Sequence, residues 1–245
     1  MPVVRRILLF SSSNIHGRGY LDHAATAIRS LLGELPGPVL FVPFALADRD
    51  AYAERARARF AQIGYSLESL HGAGNAVEAV RSAAAFFVGG GNTFRLLNEL
   101  YRRDLLESIR RRVAEGVPYI GSSAGSNIAA PTIKTTKDMP IVQPPSFDAL
   151  GLVDFQISPH YLDPDPASTH MGETQEERIV QYLEENEVPV VGLREPAFLR
   201  IEGEPGSREV MLEGEAGCRV FRRGSPAAEA TPVRDIRPLL DGERR

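Results

Sequence analysis

The chain has 245 residues, 43% of them hydrophobic, a formal net charge of −4 and a sequence pI near 5.8. That length suits one α/β domain or two small ones, and the apolar content supplies a sizeable core, which argues against a disordered chain. The acidic balance argues against a nucleic-acid partner, whose footprint needs a strongly basic face.

Residues 6–10 read as a strand, 20–32 as a helix, 39–44 as a second strand and 48–63 as an amphipathic helix capped by Asp48 or Asp50. A third strand follows at 65–70, a short helix at 76–82 and a buried strand at 83–88. Residues 92–115 carry helical spacing with a break near Asp104, and the next strand occupies 117–120. This alternation predicts a parallel sheet covered on both faces, with every strand-to-helix turn at one edge. Residues 128–151 hold four prolines and read as a long excursion, a feature that usually builds a site. A strand at 155–157 then ends at Ser158-Pro159-His160, a helix spans 174–187, and a buried strand at 188–193 ends at Arg194-Glu195. Antiparallel strands are expected at 197–201, 209–212 and 219–221, followed by a polar tail after Gly224. One domain over residues 1–245 is expected, its core in 1–200 and its antiparallel strands and tail in 201–245.

Arginine-rich runs at residues 55–59 and 110–112 lie in helical patterns beside Glu54, Glu107 and Glu115, as solvated faces do. Cys218 is the single cysteine, so no internal disulfide forms, and the reducing cytoplasm is the natural compartment. The apolar run at residues 7–10 is too short for a signal peptide or a membrane span.

The stretch Gly121-Ser122-Ser123-Ala124-Gly125 follows an apolar strand directly. Gly-x-Ser-x-Gly in that context is the pattern of a nucleophile elbow, a sharp turn that lifts the middle hydroxyl above the end of a sheet. The positive end of the following helix would face a developing oxyanion. A serine hydroxyl needs a base, and the base needs an acid to fix its tautomer. His160, held behind Pro159 at a strand exit, is the best base, although a histidine beside an aromatic is also an ordinary structural residue. Two acids suit the third position: Glu195 at the end of a buried strand, and Asp138 in the Pro-rich excursion. The run Gly89-Gly90-Gly91 fits no nucleotide-binding pattern and reads better as one side of an oxyanion hole, with the amides of Gly91 and Ala124 as donors. A metal reading from His170 with Glu173, or His160 with Asp163, is disfavoured, because Gly172 and Pro164 interrupt the helices it needs. No role is assigned to His16, His23 or His71.

These residues resemble the peptidase E family of serine aspartyl dipeptidases. The resemblance is carried by Gly121 to Asn127, by the block from Pro131 to Val142, by Pro144 to Leu152, and by Gln156-Ile157-Ser158-Pro159-His160, Gly172-Glu173-Thr174 and Gly192-Leu193-Arg194-Glu195. It implies a three-layer α/β sandwich of the class I glutamine-amidotransferase type, with a mostly parallel sheet and serine in place of that superfamily's cysteine. It implies Ser123 as nucleophile, His160 as base, Asp138 or Glu195 as third member, and Gly91 and Ala124 as oxyanion donors. The implied activity is hydrolysis of dipeptides with an N-terminal aspartate, without metal or cofactor, in a possible homodimer. The family carries arginine after Gly-Glu-Thr where this chain has Gln175, which offers no charge to a substrate carboxylate. Arg178, one turn on, could partly replace it, and a broadened first-residue preference is expected. Asn92 joins Gln175 and Arg178 as a candidate substrate contact. The rival readings are a cyanophycinase-like β-aspartyl peptide hydrolase, a general esterase, or a binding protein that kept the fold without the chemistry.

Overall fold

The computed structural model describes residues 4–169, 171–204 and 209–242. Five parallel strands form the body of the larger sheet: β1 (Arg5–Phe10), β2 (Val39–Val42), β3 (Leu67–Ser69), β4 (Ala85–Val88) and β5 (Tyr119–Ser122), in the order β1-β5-β4-β2-β3. Most of these residues are wholly buried, as strands covered on both faces must be. Their side chains divide by alternation. Leu8, Phe10, Phe41, Phe87 and Ile120 pack with α1 (Ala25–Leu32) and α2 (Arg49–Ile63) on one face. Ile7, Leu9, Val42, Phe86 and Tyr119 pack with α3 (Ala76–Ser82), α4 (Thr93–Arg102) and α5 (Leu106–Ala114) on the other.

Beyond β1 the sheet turns antiparallel through β8 (Ala197–Gly203), β9 (Glu209–Gly214) and β12 (Arg234–Asp235). A second, four-stranded sheet holds β6 (Gln156–Pro159), β7 (Val190–Leu193), β10 (Cys218–Phe221) and β11 (Ala228–Ala230) in the order β11-β10-β7-β6. Only its β6–β7 pair is parallel.

Three expectations need correction. The helix expected over 20–32 begins at Ala25, because Leu21 takes a left-handed φ of 57° and Asp22 accepts the Gly19 N–H in a separate turn. The tail after Gly224 is not featureless: β11 and β12 close the edges of the two sheets, and α8 (Arg237–Asp241) packs Leu240 against them. The turns that carry Gly91, Ser123, His160 and Glu195 do not all lie at one edge of one parallel sheet, since Val88 and Ser122 end strands of the larger sheet whereas Pro159 and Leu193 end strands of the smaller one. The break near Asp104 is present, with φ at 53° between α4 and α5.

Candidate active site

Ser123 follows β5 directly and takes φ 52° and ψ −110°, a strained combination for a residue with a side chain. Close backbone approach explains the glycines around it. A Cβ on Gly121 would stand 2.5 Å from the Gly125 carbonyl oxygen, and one on Gly125 would stand 2.1 Å from that of Val88. The bend is anchored to β1, because the Ser123 N–H and the Ser126 hydroxyl both donate to the Phe10 carbonyl, at 3.0 and 2.7 Å. The helix beyond it, α6 (Ala124–Asn127), is a single turn. Its dipole is therefore small, and what it presents at the bend is individual N–H groups rather than the end of a long helix.

His160 leaves β6 with its own left-handed φ of 55°. Its N–H donates to the Ser11 hydroxyl at 2.8 Å, and that hydroxyl donates to the Leu193 carbonyl at 2.8 Å. Ser11 stands directly after β1, so one side chain of the larger sheet fixes the ends of β6 and β7. Gly192 keeps this junction open, since a Cβ there would stand 2.7 Å from the Tyr161 ring.

The two sheets thereby bring Ser123 Oγ within 2.7 Å of His160 Nε2. His160 Nδ1 bonds the Glu195 carboxylate. An ionised carboxylate only accepts, which puts the imidazole proton on Nδ1 and leaves Nε2 free to accept from the serine hydroxyl. The side chains of His160 and Glu195 are 40% and 37% exposed, so the row lies at an open rim that a substrate can reach. Beside it, Arg194 pairs with Asp163 and Glu229 and pins the end of β7.

Asp138 is placed elsewhere. Its Oδ2 accepts from both the N–H and the hydroxyl of Thr93, at 2.7 and 2.6 Å, at the start of α4. Asn92 is the N-cap of that helix: its side chain accepts from Arg95 N and donates to the Met139 carbonyl, so both ends of the amide are engaged. Of the two acids, then, only Glu195 meets His160. Asp138 and Asn92 lock the Pro-rich excursion onto α4.

Gly91 takes φ 132°, and a Cβ there would stand 2.7 Å from the Ala45 carbonyl oxygen. No described residue accepts from the Gly91 or Ala124 N–H. Gln175, at the start of α7 (Gln175–Glu185), accepts from Leu162 N at 3.0 Å and from the ammonium of Lys137 at 3.1 Å. Lys137 also donates to the His160 carbonyl at 2.7 Å. Arg178 leans toward Glu173 at 3.7 Å. Ser11 and Lys137 escaped the sequence reading. Ser11 was detectable by the rule used for the other strand ends, because a run of three serines follows β1. Lys137 carried no such signal.

Comparison with known proteins fits this arrangement. The model of peptidase family S51 matches residues 7–208. The chain belongs to peptidase family S51. It is 52% identical to a peptidase E of Streptomyces coelicolor over 96% of this chain and 95% of that one. It is 44% identical to a probable alpha-aspartyl dipeptidase of Drosophila melanogaster over 98% and 99% of the two chains. A crystal structure of a putative peptidase E from Listeria monocytogenes superposes with a TM-score of 0.64 at 25% identity, covering 86% of this chain and 99% of that one. A peptidase structure from an acI-B1 actinobacterium shares the fold at a TM-score of 0.70 and 18% identity, covering 96% and 97%. The chain is thus a peptidase of mixed α/β fold. Among the described residues, no group of three His, Cys, Asp or Glu could hold a metal ion, and no helix is long and apolar enough to cross a membrane. His170, named in the metal reading, lies outside the described residues, and Asp163 is paired with Arg194.

Proposed function

We propose that the chain is a serine dipeptidase acting on dipeptides with an N-terminal aspartate. The observation that carries this reading is the row Ser123, His160, Glu195, assembled across two sheets at a strained elbow. Ser123 Oγ attacks the carbonyl carbon of the first residue, and its proton passes to His160 Nε2. Glu195 holds the imidazole in register and stabilises the imidazolium. The amides of Gly91 and Ala124 receive the oxyanion. The carbon–nitrogen bond breaks as His160 returns its proton to the leaving amine, and water, activated by the same histidine, releases the first residue from the acyl-enzyme.

The substrate class follows from relatives named peptidase E and alpha-aspartyl dipeptidase, and no observation favours a β-aspartyl peptide hydrolase, an esterase or a binding protein instead. The reading includes a single domain, a cytoplasmic location, no nucleic-acid partner, no cofactor and a homodimer. A dipeptide library screened with the wild type beside Ser123→Ala tests the reaction. Turnover of Asp-X lost in the variant, together with fluorophosphonate labelling at Ser123, is the expected result. Equal turnover by both proteins would remove Ser123 as the nucleophile, and no turnover together with intact mass without adduct would leave a binding protein.

A further inference from the structure

Next to His160 lies a recess of about 90 Å³ whose lining includes Lys134, Lys137 and Arg178 together with Thr136, Ser158 and Gln175, and no carboxylate. Its three cations are differently engaged. Arg178 leans on Glu173, and Lys134 reaches Asn186 at 3.5 Å, away from the reacting centre. Lys137 alone points at the site. Although the residue is exposed, its ammonium is held by two neutral acceptors, the His160 carbonyl at 2.7 Å and Gln175 Oε1 at 3.1 Å, and no described carboxylate pairs with it. Desolvation lowers the pKa of that ammonium to about 8, the mark of a charge short of compensation.

The geometry of a substrate supplies what is lacking. In an N-terminal aspartate, three bonds separate the carbonyl carbon that Ser123 attacks from the carboxylate carbon, a span of about 4 Å. The acid therefore stays within about 4 Å of the carbon that Ser123 attacks, on the side of the site where Lys137 bonds the carbonyl of the base. A recess of this size holds about three waters' share of volume, enough for a carboxymethyl group.

We infer that Lys137, steadied by Gln175, selects an acidic first residue by taking the substrate's β-carboxylate as its counter-ion. The inference rests on the peptidase reading above. It makes Gln175 a support for a cation rather than the cause of a broadened preference.

Asn-X dipeptides are the neutral isosteres of Asp-X, so the ratio of their kcat/KM values isolates the charge. In Lys137→Met that ratio should fall about 10- to 100-fold, the scale of a charge-assisted hydrogen bond, mainly through KM for Asp-X. Lys137→Arg should restore most of it. If Lys137 only props the His160 carbonyl, both substrates will decline together and the ratio will stay fixed, which overturns the inference. The wild type gives a second measurement, independent of folding in a variant. Above pH 8 the ammonium loses its charge, and KM for Asp-X should climb while that for Asn-X holds. The groups around it are Asp138 on its own loop, Glu195 and His160 at the ends of the second sheet, Lys134, and Arg178 on α7. A pH effect on the reaction step itself acts on both substrates and cancels in the ratio, and a ratio flat from pH 7 to 10 would sink the idea. Loss of Asp-X turnover in the wild type, or its survival in Ser123→Ala, refutes the peptidase reading itself. Ser123-dependent turnover with an unmoved ratio refutes only the role of Lys137.

Discussion

The Ser11 hydroxyl accepts the His160 N–H at 2.8 Å and so couples the proposed base to the first strand of the other sheet. Removing it leaves the His160 N–H without its partner, while the Leu193 carbonyl keeps the Tyr161 N–H at 3.1 Å. Ser11→Ala should cost about 1–3 kcal/mol of stability, the penalty for an orphaned buried polar group. Because the base is displaced rather than deleted, kcat should drop about tenfold while KM changes little. Thermal melts with steady-state kinetics check both; an unchanged melt and kcat would mean that the contact is idle.

Glu195 and Asp138 make opposite forecasts. Glu195→Gln presents a neutral amide to Nδ1 and should lower kcat by about 10³- to 10⁴-fold, with the fold intact, as loss of a triad acid does elsewhere. Asp138→Asn should spare most of kcat but cost about 1 kcal/mol, since Asp138 satisfies Thr93 at the N-terminus of α4. A single-turnover assay beside urea unfolding separates the two. Reversal of the pattern would return the third position to Asp138.

Gly91→Ala tests the oxyanion site. The new methyl group would meet the Ala45 carbonyl at a φ that side chains rarely adopt, so the loop must move. The loss of one aligned donor should reduce kcat about 10²- to 10³-fold with binding nearly unaltered. Full activity in this variant would place the oxyanion elsewhere.

Cys218 is buried in β10, and burial pushes its thiol up to about 12. Sign follows directly: at pH 8 the group is almost wholly protonated, and the thiolate is the reactive species. Iodoacetamide at pH 8 should leave the native peptidase active and unmodified, while the unfolded chain reacts at the ordinary rate. Rapid alkylation of the folded protein, read by intact mass, would contradict this burial.

Much of this protein is written locally. The close approach of Gly121 to Gly125, the cap at Asn92 and the left-handed break at Asp104 depend on neighbours a few residues away, and such geometry, like the apolar runs of the larger sheet's strands, is legible in a short window of sequence. The pairing of His160 with Glu195 rather than Asp138 is not local. Both acids stand in loops, and only the packing of a second sheet against the first, pinned by Ser11, turns one toward the imidazole and the other toward α4. The same packing sets the Lys137 ammonium on the His160 carbonyl, a contact no spacing rule encodes, because it forms between segments whose separation along the chain says nothing about their distance in space.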